Sequence, residues 1–356
     1  MASSTFSLDY LPDHSKITNQ TVSNLASEYS DSGLPEYVAD VLRPLPDGLK
    51  APIGYTFQQH VTKERPLSIL HVGDELGIKR NRSLGMAACI DVLWNVGIIV
   101  DDIYDKDETN ARQEPSAWSK FGKTTALAAS TAAVAATIGY TARNYGIKDA
   151  YRLSRQLHEG ISSLTQSRNI SHDASIEAYF SNYDMRSRFY TAGPISTIAS
   201  KEDIDPQSIL GAKNSLARMN RAGQMINDLQ DFDISGDRSR TQSFSDLRNG
   251  VKSVPIRHLW LAGSPKGKRQ LKELQGKPTL DDKDVEFIHQ IMVETNFVPE
   301  VKSLIDTEYS AGREEYISAL QPSHQTVKWL DDWIAYKQGQ ATTVARALAE
   351  RALTYM

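Results

Sequence analysis

The segment Asp91-Val-Leu-Trp-Asn-Val-Gly-Ile-Ile-Val-Asp-Asp-Ile-Tyr-Asp105 is an apolar run that ends in three carboxylates. Its length and apolar content predict a buried helix over residues 83–104. Asp101 and Asp105 are four residues apart, so both leave the helix on one face and can bind a hard cation through oxygen, with Asp102 beside them. A solvated acidic helix end would have the same pattern, so this segment alone does not decide between the two interpretations.

A second acidic segment ends another long apolar stretch, predicted as a helix over residues 206–232. Asn227, Asp231 and Ser235 recur at every fourth residue, which places three oxygen-bearing side chains on one helical face, next to Asp228. Asn and Ser are weak ligands alone, but magnesium keeps several waters and shares phosphate oxygens, so they suffice. The two segments together indicate metal-assisted chemistry on a diphosphate.

Positively charged side chains must then meet the diphosphate. Arginine suits this task because its planar fork donates two hydrogen bonds and stays charged. Arg188 and Arg238 are the first choices, although any single arginine is more often a surface or salt-bridge residue. The full set of candidates is Arg186, Arg188, Arg238, Arg240, Lys252 and Arg313.

Bulk properties narrow the class of protein. The chain has 356 residues, a formal charge of -4, 40% hydrophobic and 24% charged residues, as ordinary globular proteins do. No basic stripe offers nucleic acid a binding surface. Cys89 is the single cysteine, which excludes an internal disulfide. The N-terminal sequence has no targeting pattern and residues 124–140 are too weakly apolar to span a bilayer, so we expect a cytoplasmic protein.

Helical periodicity continues along most of the chain and predicts an antiparallel bundle of about ten helices. Three parts are expected: a flexible arm or lid strap at 1–35, a bundle at 36–320, and a terminal helix at 321–356. Trp329 and Trp333 are four residues apart, which predicts that this terminal helix packs on the bundle or on a second subunit. The other predicted helices are 66–76, 124–144, 149–167, 176–199, 282–294 and 300–318.

Over 63–255 the sequence resembles the trans-isoprenyl diphosphate synthase family. Asp101–Asp105 matches that family's first DDxxD motif, and 224–231 resembles its FQxxDDxxD motif with Asn227 in place of the first Asp. Residues 113–122 and 246–255 resemble the stretches that follow each motif. The resemblance implies an all-α class I isoprenoid synthase bundle around a central active-site cavity. It also implies three Mg²⁺ ions with bound diphosphate, an allylic isoprenoid diphosphate as substrate, and a homodimer.

The departures from the family pattern concern its second substrate. The family's Gly-Gly-Lys-x-x-Arg-Pro loop, which holds isopentenyl diphosphate, reads His60-Val-Thr-Lys-Glu-Arg-Pro66 here, with Thr62 in place of the lysine. Trp94 replaces a polar family residue. The resemblance therefore implies a dismantled second-diphosphate site and a retained allylic site. Asn227, Asp231 and Ser235 approach the Asn-Ser-Glu triad of class I terpene synthases, with Ser in the place of Glu.

An enzyme that ionises an allylic diphosphate without isopentenyl diphosphate must cyclise the cation or pass it to another nucleophile. We expect cyclisation of farnesyl diphosphate, as in the fungal sesquiterpene synthases of the humulene type that the chain resembles. Aromatic walls would stabilise the cation, although each aromatic alone is more often ordinary core. Alternatives are a prenyltransferase to another acceptor, resembling the moenomycin-pathway enzyme, an ordinary polyprenyl diphosphate synthase, and an inactive partner subunit. The predicted cavity residues are Trp94, Phe57, Phe180, Tyr183, Phe189, Tyr190 and Gln224.

Overall fold

The computed structural model describes residues 11–12, 17–109, 114–233 and 243–354. Within these ranges the chain is helical, and its β pairing is limited to a single bridge between Thr109 and Pro115. The predicted all-α class is confirmed. The helices are α1 Gln20–Asp31, α2 Leu34–Leu42, α3 Asp47–Gln59, α4 Glu64–Glu75, α5 Arg80–Asp105, α6 Ala117–Phe121, α7 Lys123–Asn144, α8 Ile147–Gln166, α9 Ile176–Ser187, α10 Ala192–Ala199, α11 Pro206–Gln230, α12 Ser245–Arg248, α13 Val254–Ala262, α14 Pro265–Leu274, α15 Asp282–Glu294, α16 Phe297–Leu320 and α17 His324–Thr354.

The chain divides into two compact units. Unit 1 comprises Met1–Leu157, Arg188–Asn214 and Glu315–Trp333, and it carries the first acidic segment. Unit 2 comprises His158–Ser187, Ser215–Glu314 and Ile334–Met356, and it carries the second.

Helix α5 is the core helix of unit 1. It packs against α2, α3, α4, α7 and α10, and nearly every residue from Ser83 to Val96 is buried. A helix surrounded in this way needs apolar residues on all faces, which is why its sequence lacks a polar stripe. Gly85 permits close packing, because a Cβ there would lie 2.7 Å from the Tyr145 hydroxyl oxygen. The helix ends where Lys106 adopts a left-handed conformation with φ of 62°.

A buried ion pair lies at the centre of unit 1. The Lys63 side chain is 1% exposed, and its Nζ lies 3.4 Å from Oδ2 of Asp91 on α5. The ammonium also faces the rings of Tyr29 and Phe57, at 4.9 and 4.4 Å from their centroids. Burial lowers the pKa of Lys63 and raises that of Asp91, and the charge of each partner opposes the shift of the other. The Lys63 ammonium, at the start of α4, thus contacts residues of α1, α3 and α5.

Most predicted helices of the central chain are present, and 282–294 has the predicted bounds. Asp281 and Asp284 form a capping box there, a signal that is local in sequence. The prediction of one helix over 176–199 is wrong. The chain turns between Ser187 and Ala192 and restarts as α10. Pro194 has no N–H to donate and its ring would clash with the preceding turn of a continuous helix, so the Gly193-Pro194 pair is a local signal for this break. Gly193 also packs closely, because a Cβ there would lie 2.1 Å from Oε1 of Gln156.

Near the N-terminus the structure has a helix that was not predicted, and the terminal helix α17 begins at His324, three residues after the predicted start. Residues 20–31 form α1, capped by Asn19, with Val22, Leu25 and Tyr29 buried, so the flexible-arm prediction does not describe them. At the other end, the centroids of the Trp329 and Trp333 rings lie 5.5 Å apart with the rings tilted, and the Trp329 centroid lies 4.2 Å from that of the His71 ring. The described residues form seventeen helices in place of about ten, because several are short and α1 to α3 were not predicted individually.

Helices α5 and α7 are long and apolar enough to cross a membrane by length and composition. In α5, 78% of the most apolar window is buried inside the protein, against 44% in α7. Core helices pass the same test, so the two helices are weak evidence for a span.

We predict that Lys63→Met lowers the free energy of unfolding by about 3 to 5 kcal/mol, because it leaves a buried carboxylate without its partner. The double variant Lys63→Met/Asp91→Leu should lose less than this single variant. Urea unfolding followed by circular dichroism measures both effects. Lys328→Ala removes an exposed pair with Asp332 and is the control, with an expected loss under about 0.5 kcal/mol. Equal losses for Lys63→Met and Lys328→Ala would contradict the assignment.

Candidate active site

The first acidic segment is the last turn of α5. Asp101 is exposed, whereas Asp102 and Asp105 are half-buried. Burial raises the pKa of Asp102 to about 8, and the charges of Asp101, Asp107 and Asp105 add to the effect. Asp107 was not predicted from the sequence, because it follows the end of the helix and has no place in the four-residue spacing. Carboxylates that repel one another in this way would be stabilised by a bound cation.

The chain after this segment folds back onto unit 1. The Trp118 indole N–H donates to the carbonyl oxygen of Asp107 at 2.8 Å. The hydroxyl of Tyr55 donates to the carbonyl oxygen of Pro115 at 2.8 Å. These bonds hold the residues on either side of 110–113, which lie outside the described residues and include Gln113 of the predicted family match.

In the second segment α11 ends at Gln230, so the predicted four-residue row is helical only at its start. Asn227 is exposed in the last turn. Asp231 follows in a turn, where its N–H still donates to the Asn227 carbonyl at 3.2 Å. Ser235, the third member of the row, lies outside the described residues.

Asp231 is buried against the start of α12. Its Oδ1 accepts hydrogen bonds from the backbone N–H and the hydroxyl of Ser245, both at 2.8 Å. Its Oδ2 accepts from the backbone N–H of Asp246 at 3.0 Å. These contacts were not predicted, because the partners are fourteen and fifteen residues away and no short motif signals them.

Asp228 is buried beside Asp231. It accepts hydrogen bonds from the Tyr183 hydroxyl and, at 2.7 Å, from the Gln224 side-chain amide. Burial raises the pKa of Asp228 to about 6, while the Tyr183 hydrogen bond and the charge of Arg186 oppose the shift. Tyr183 and Gln224 were predicted to line a cavity, and the structure places both against this carboxylate.

Asp246 is a third acidic group in unit 2. Burial, followed by the charges of Asp228 and Asp231, raises its pKa well above the usual range. Arg186, near the end of α9, opposes this rise and also the rise at Asp228. Arg186 therefore has a direct electrostatic connection to the second segment. Asp246 begins the stretch 246–255 that resembles the family, but it was not predicted as a site residue.

Three of the other predicted cations lie among the described residues. Arg188 is half-buried in the turn after α9, and its carbonyl accepts from the Gly193 N–H at 2.8 Å. Arg313 is half-buried on α16. Lys252 is also half-buried, and burial lowers its pKa. Arg238 and Arg240 lie outside the described residues.

In the loop His60–Pro66 the second positive side chain is Arg65. Its guanidinium carbon lies 3.3 Å from the centroid of the Trp94 indole and 5.3 Å from that of the Tyr190 ring. Its Nη1 lies 3.1 Å from Oε1 of Glu64. One face of Trp94 thus stacks on a protein cation and is not open to a substrate.

Several other predicted cavity aromatics also face protein cations or one another. Phe57 lies against Lys63. Phe180 lies 5.1 Å from the Arg221 guanidinium carbon. Phe189 and Tyr190 pack edge to face at 4.8 Å. Phe180 and Arg221 are distant in the chain, so no local pattern predicts their contact, whereas Phe189 and Tyr190 are adjacent.

No three His, Cys, Asp or Glu side chains among the described residues form a ready-made metal site. The donors of both segments are nevertheless oxygens, which suit Mg²⁺, an ion that completes its octahedron with water and phosphate oxygens. The raised pKa values of Asp102, Asp228 and Asp246 also fit an ion that would offset crowded negative charge. The donor set therefore fits magnesium.

A family model described as Polyprenyl synthetase matches residues 46–292. The chain belongs to the polyprenyl synthetase family. The matched range includes both acidic segments and the loop His60–Pro66, and it makes the protein an isoprenoid-diphosphate-processing enzyme. No curated protein sequence matches the chain significantly.

Solved structures share the fold of this polyprenyl synthetase family member. A polyprenyl synthase from Caulobacter crescentus CB15, in complex with calcium and isoprenyl diphosphate, has a TM-score of 0.73 at 14% identity, covering 89% of this chain and 97% of that one. A decaprenyl diphosphate synthase from Rhodobacter capsulatus has 0.73 at 14%, covering 90% and 99%. A geranylgeranyl pyrophosphate synthase from Lactobacillus brevis has 0.70 at 16%, covering 90% and 97%. The predicted isoprenoid synthase fold is confirmed.

We predict that Asp102 makes the metal-free protein less stable as pH rises. Its folded pKa is about 8, whereas an unfolded aspartate titrates near about 4. Between these values the folded state binds more protons than the unfolded state, so the stability that Asp102 contributes at low pH is lost as pH rises through 8.

Thermal unfolding in EDTA, from pH 5.5 to 9, measures this effect. The melting temperature of the wild type should fall more steeply with pH than that of Asp102→Asn, and Mg²⁺ should raise the wild-type value most at the alkaline end. Parallel curves for the two proteins would show that the pKa of Asp102 is not raised.

Proposed function

We propose that this enzyme is a class I sesquiterpene synthase that ionises farnesyl diphosphate with Mg²⁺ and cyclises the cation to a humulene-type hydrocarbon. The C1–O bond breaks, and its electron pair leaves with diphosphate. C1 then bonds to the distal alkene, and a proton is lost. The observation that carries the proposal is the engagement of both positive side chains of the loop His60–Pro66 inside unit 1.

A second diphosphate needs positive donors, because burying its charge without partners is very unfavourable. Lys63 cannot reach such a ligand without leaving the carboxylate of Asp91 buried and unpaired. Arg65 would have to give up its stacking on Trp94 and Tyr190. Thr62 is neutral. These contacts disfavour isopentenyl diphosphate as a second substrate.

The acidic segments are proposed to hold the metal, with Asp101, Asp105, Asn227 and Asp231 as principal ligands. Bound Mg²⁺ would act as a Lewis acid on the departing diphosphate. Asp102, Asp228 and Ser235 are further proposed ligands, and three ions are expected from the family resemblance. Arg186 is our first choice among the cations for the diphosphate, because its charge already acts on Asp228 and Asp246. Arg188, Arg238, Arg240, Lys252 and Arg313 remain weaker candidates.

An ordinary polyprenyl diphosphate synthase is the second candidate. The names of the similar structures favour it, since they are polyprenyl, decaprenyl and geranylgeranyl synthases. The aromatic contacts favour it too, because Trp94, Phe57 and Phe180 already face protein cations and so offer fewer open ring faces to a carbocation. Transfer of the prenyl group to another acceptor is a third outcome of the same ionisation.

We also propose a cytoplasmic homodimer. Helix α7 carries no charged residue between Lys123 and Arg143, yet Leu127 on it is 39% exposed. Ile147 and Tyr151, at the start of α8, are 78% and 72% exposed. The stretch of α7 between Lys123 and Arg143 has no charged residue and is suited to an equally uncharged face, such as the same surface of a second copy.

We predict that Asp101→Asn and Asn227→Ala each lower turnover by about a hundredfold or more, since charge developing on a leaving group is stabilised by its metal ligands. Release of inorganic diphosphate from farnesyl diphosphate in Mg²⁺ measures the effect. Asp332→Asn, an exposed acidic residue paired with Lys328, is the control and should be unchanged. Full activity of Asp101→Asn, or of the wild type in EDTA, would refute the metal assignment.

We further predict that farnesyl diphosphate alone gives a hydrocarbon, identified by mass spectrometry of an organic extract. Isopentenyl diphosphate offered with dimethylallyl or geranyl diphosphate should not be converted into a diphosphate with a longer prenyl chain. Efficient chain elongation in that second reaction would replace the cyclase proposal with the polyprenyl synthase alternative.

A further inference from the structure

We propose that Tyr183 and Ser245 are positioning residues that orient Asp228 and Asp231 for the metal before it binds. The inference deepens the proposed function, because it rests on the second acidic segment holding Mg²⁺. It adds two hydroxyl groups that no motif in the sequence identifies. All four side chains belong to unit 2.

The Tyr183 hydroxyl has a fixed direction. Its oxygen accepts a hydrogen bond from the backbone N–H of Val254 at 3.0 Å. Its proton is donated to Oδ2 of Asp228, while Gln224 donates to Oδ1 at 2.7 Å. Since a phenol has one proton to give, the Val254 contact leaves Asp228 as its recipient. Both carboxylate oxygens of Asp228 therefore accept a hydrogen bond, one from Tyr183 on α9 and one from Gln224 on α11.

Ser245 fixes the second carboxylate in a similar way. Its backbone N–H and its hydroxyl converge on Oδ1 of Asp231, and the N–H of Asp246 reaches Oδ2. Three donors from consecutive residues determine both the position and the plane of the carboxylate. The two backbone donors persist in any variant of Ser245, so the hydroxyl can be removed without removing the whole contact.

The hydrogen bonds indicate a role beyond stability. Asp228 and Asp231 are only 5% and 7% exposed and lie three residues apart in the chain, so each carboxylate loses hydration and depends on these donors. Residues that hydrogen-bond to metal ligands orient them, and their loss typically weakens metal binding about 10- to 100-fold.

Metal binding can be measured without turnover, by Mn²⁺ electron paramagnetic resonance titration of the full chain with inorganic diphosphate. Mn²⁺ substitutes for Mg²⁺ at oxygen sites. Tyr183→Phe and Ser245→Ala should each weaken Mn²⁺ binding by about tenfold or more. Ser245→Thr, which keeps the hydroxyl, should restore most of the affinity. In turnover assays the Mg²⁺ concentration for half-maximal rate should rise more than the maximal rate falls.

Two matched controls come from the same elements. Tyr179→Phe, one turn earlier on α9, removes a hydroxyl that donates to the Ser171 carbonyl at 3.2 Å. Ser243→Ala removes a hydroxyl that donates to the Asp233 carbonyl at 2.9 Å. Both leave the two carboxylates untouched and should bind Mn²⁺ as the wild type does. Circular dichroism confirms that each variant is folded.

Wild-type affinity in both Tyr183→Phe and Ser245→Ala would overturn the inference while leaving the proposed function intact. Equal weakening in the two controls would also overturn it, because a general loss of stability would then explain the effect. If the wild type itself binds no Mn²⁺ with diphosphate, the metal assignment of the proposed function fails and the inference fails with it.

Discussion

The ion pair between Lys63 and Asp91 is the constraint on which unit 1 depends. An ammonium and a carboxylate buried together are stable only while both remain, because either alone would be an unpaired charge in an apolar core. The pair fixes α5 against the helices around it, and α5 in turn presents Asp101, Asp102 and Asp105 at its end. The same pair removes Lys63 from any surface role. In the proposed function, this interaction links the packing of unit 1 to the exclusion of a second diphosphate.

The two acidic segments are placed by different means. The first is an extension of a core helix, and its carboxylates are crowded enough to raise the pKa of Asp102 to about 8. The second is held by hydrogen bonds from Tyr183, Gln224 and Ser245. In both, the carboxylates repel one another, which is unfavourable for stability alone. Local destabilisation of this kind is common at functional sites, where a ligand supplies the missing charge.

Local patterns in the sequence predicted much of the fold and the chemical class of the site. The apolar run of α5 and the capping box of α15 are signals contained within a few residues, and both helices are present. The break before α10 was missed although the Gly193-Pro194 pair signals it locally, because proline cannot continue a helix without losing a hydrogen bond. Side-chain partners were missed for a different reason, because they depend on tertiary packing. Stacking of Arg65 on Trp94 joins residues that are distant in the chain and changes the role expected for the indole.

We propose that oxygen ligands in each acidic segment bind metal ions for the substrate diphosphate. Anomalous X-ray scattering from crystals grown with Mn²⁺ and a non-reactive thiolo analogue of farnesyl diphosphate tests it most directly. We expect anomalous peaks within about 2.0 to 2.3 Å of oxygens of Asp101 or Asp105, and others at Asn227 or Asp231. Density for the analogue without any peak at these residues would contradict it.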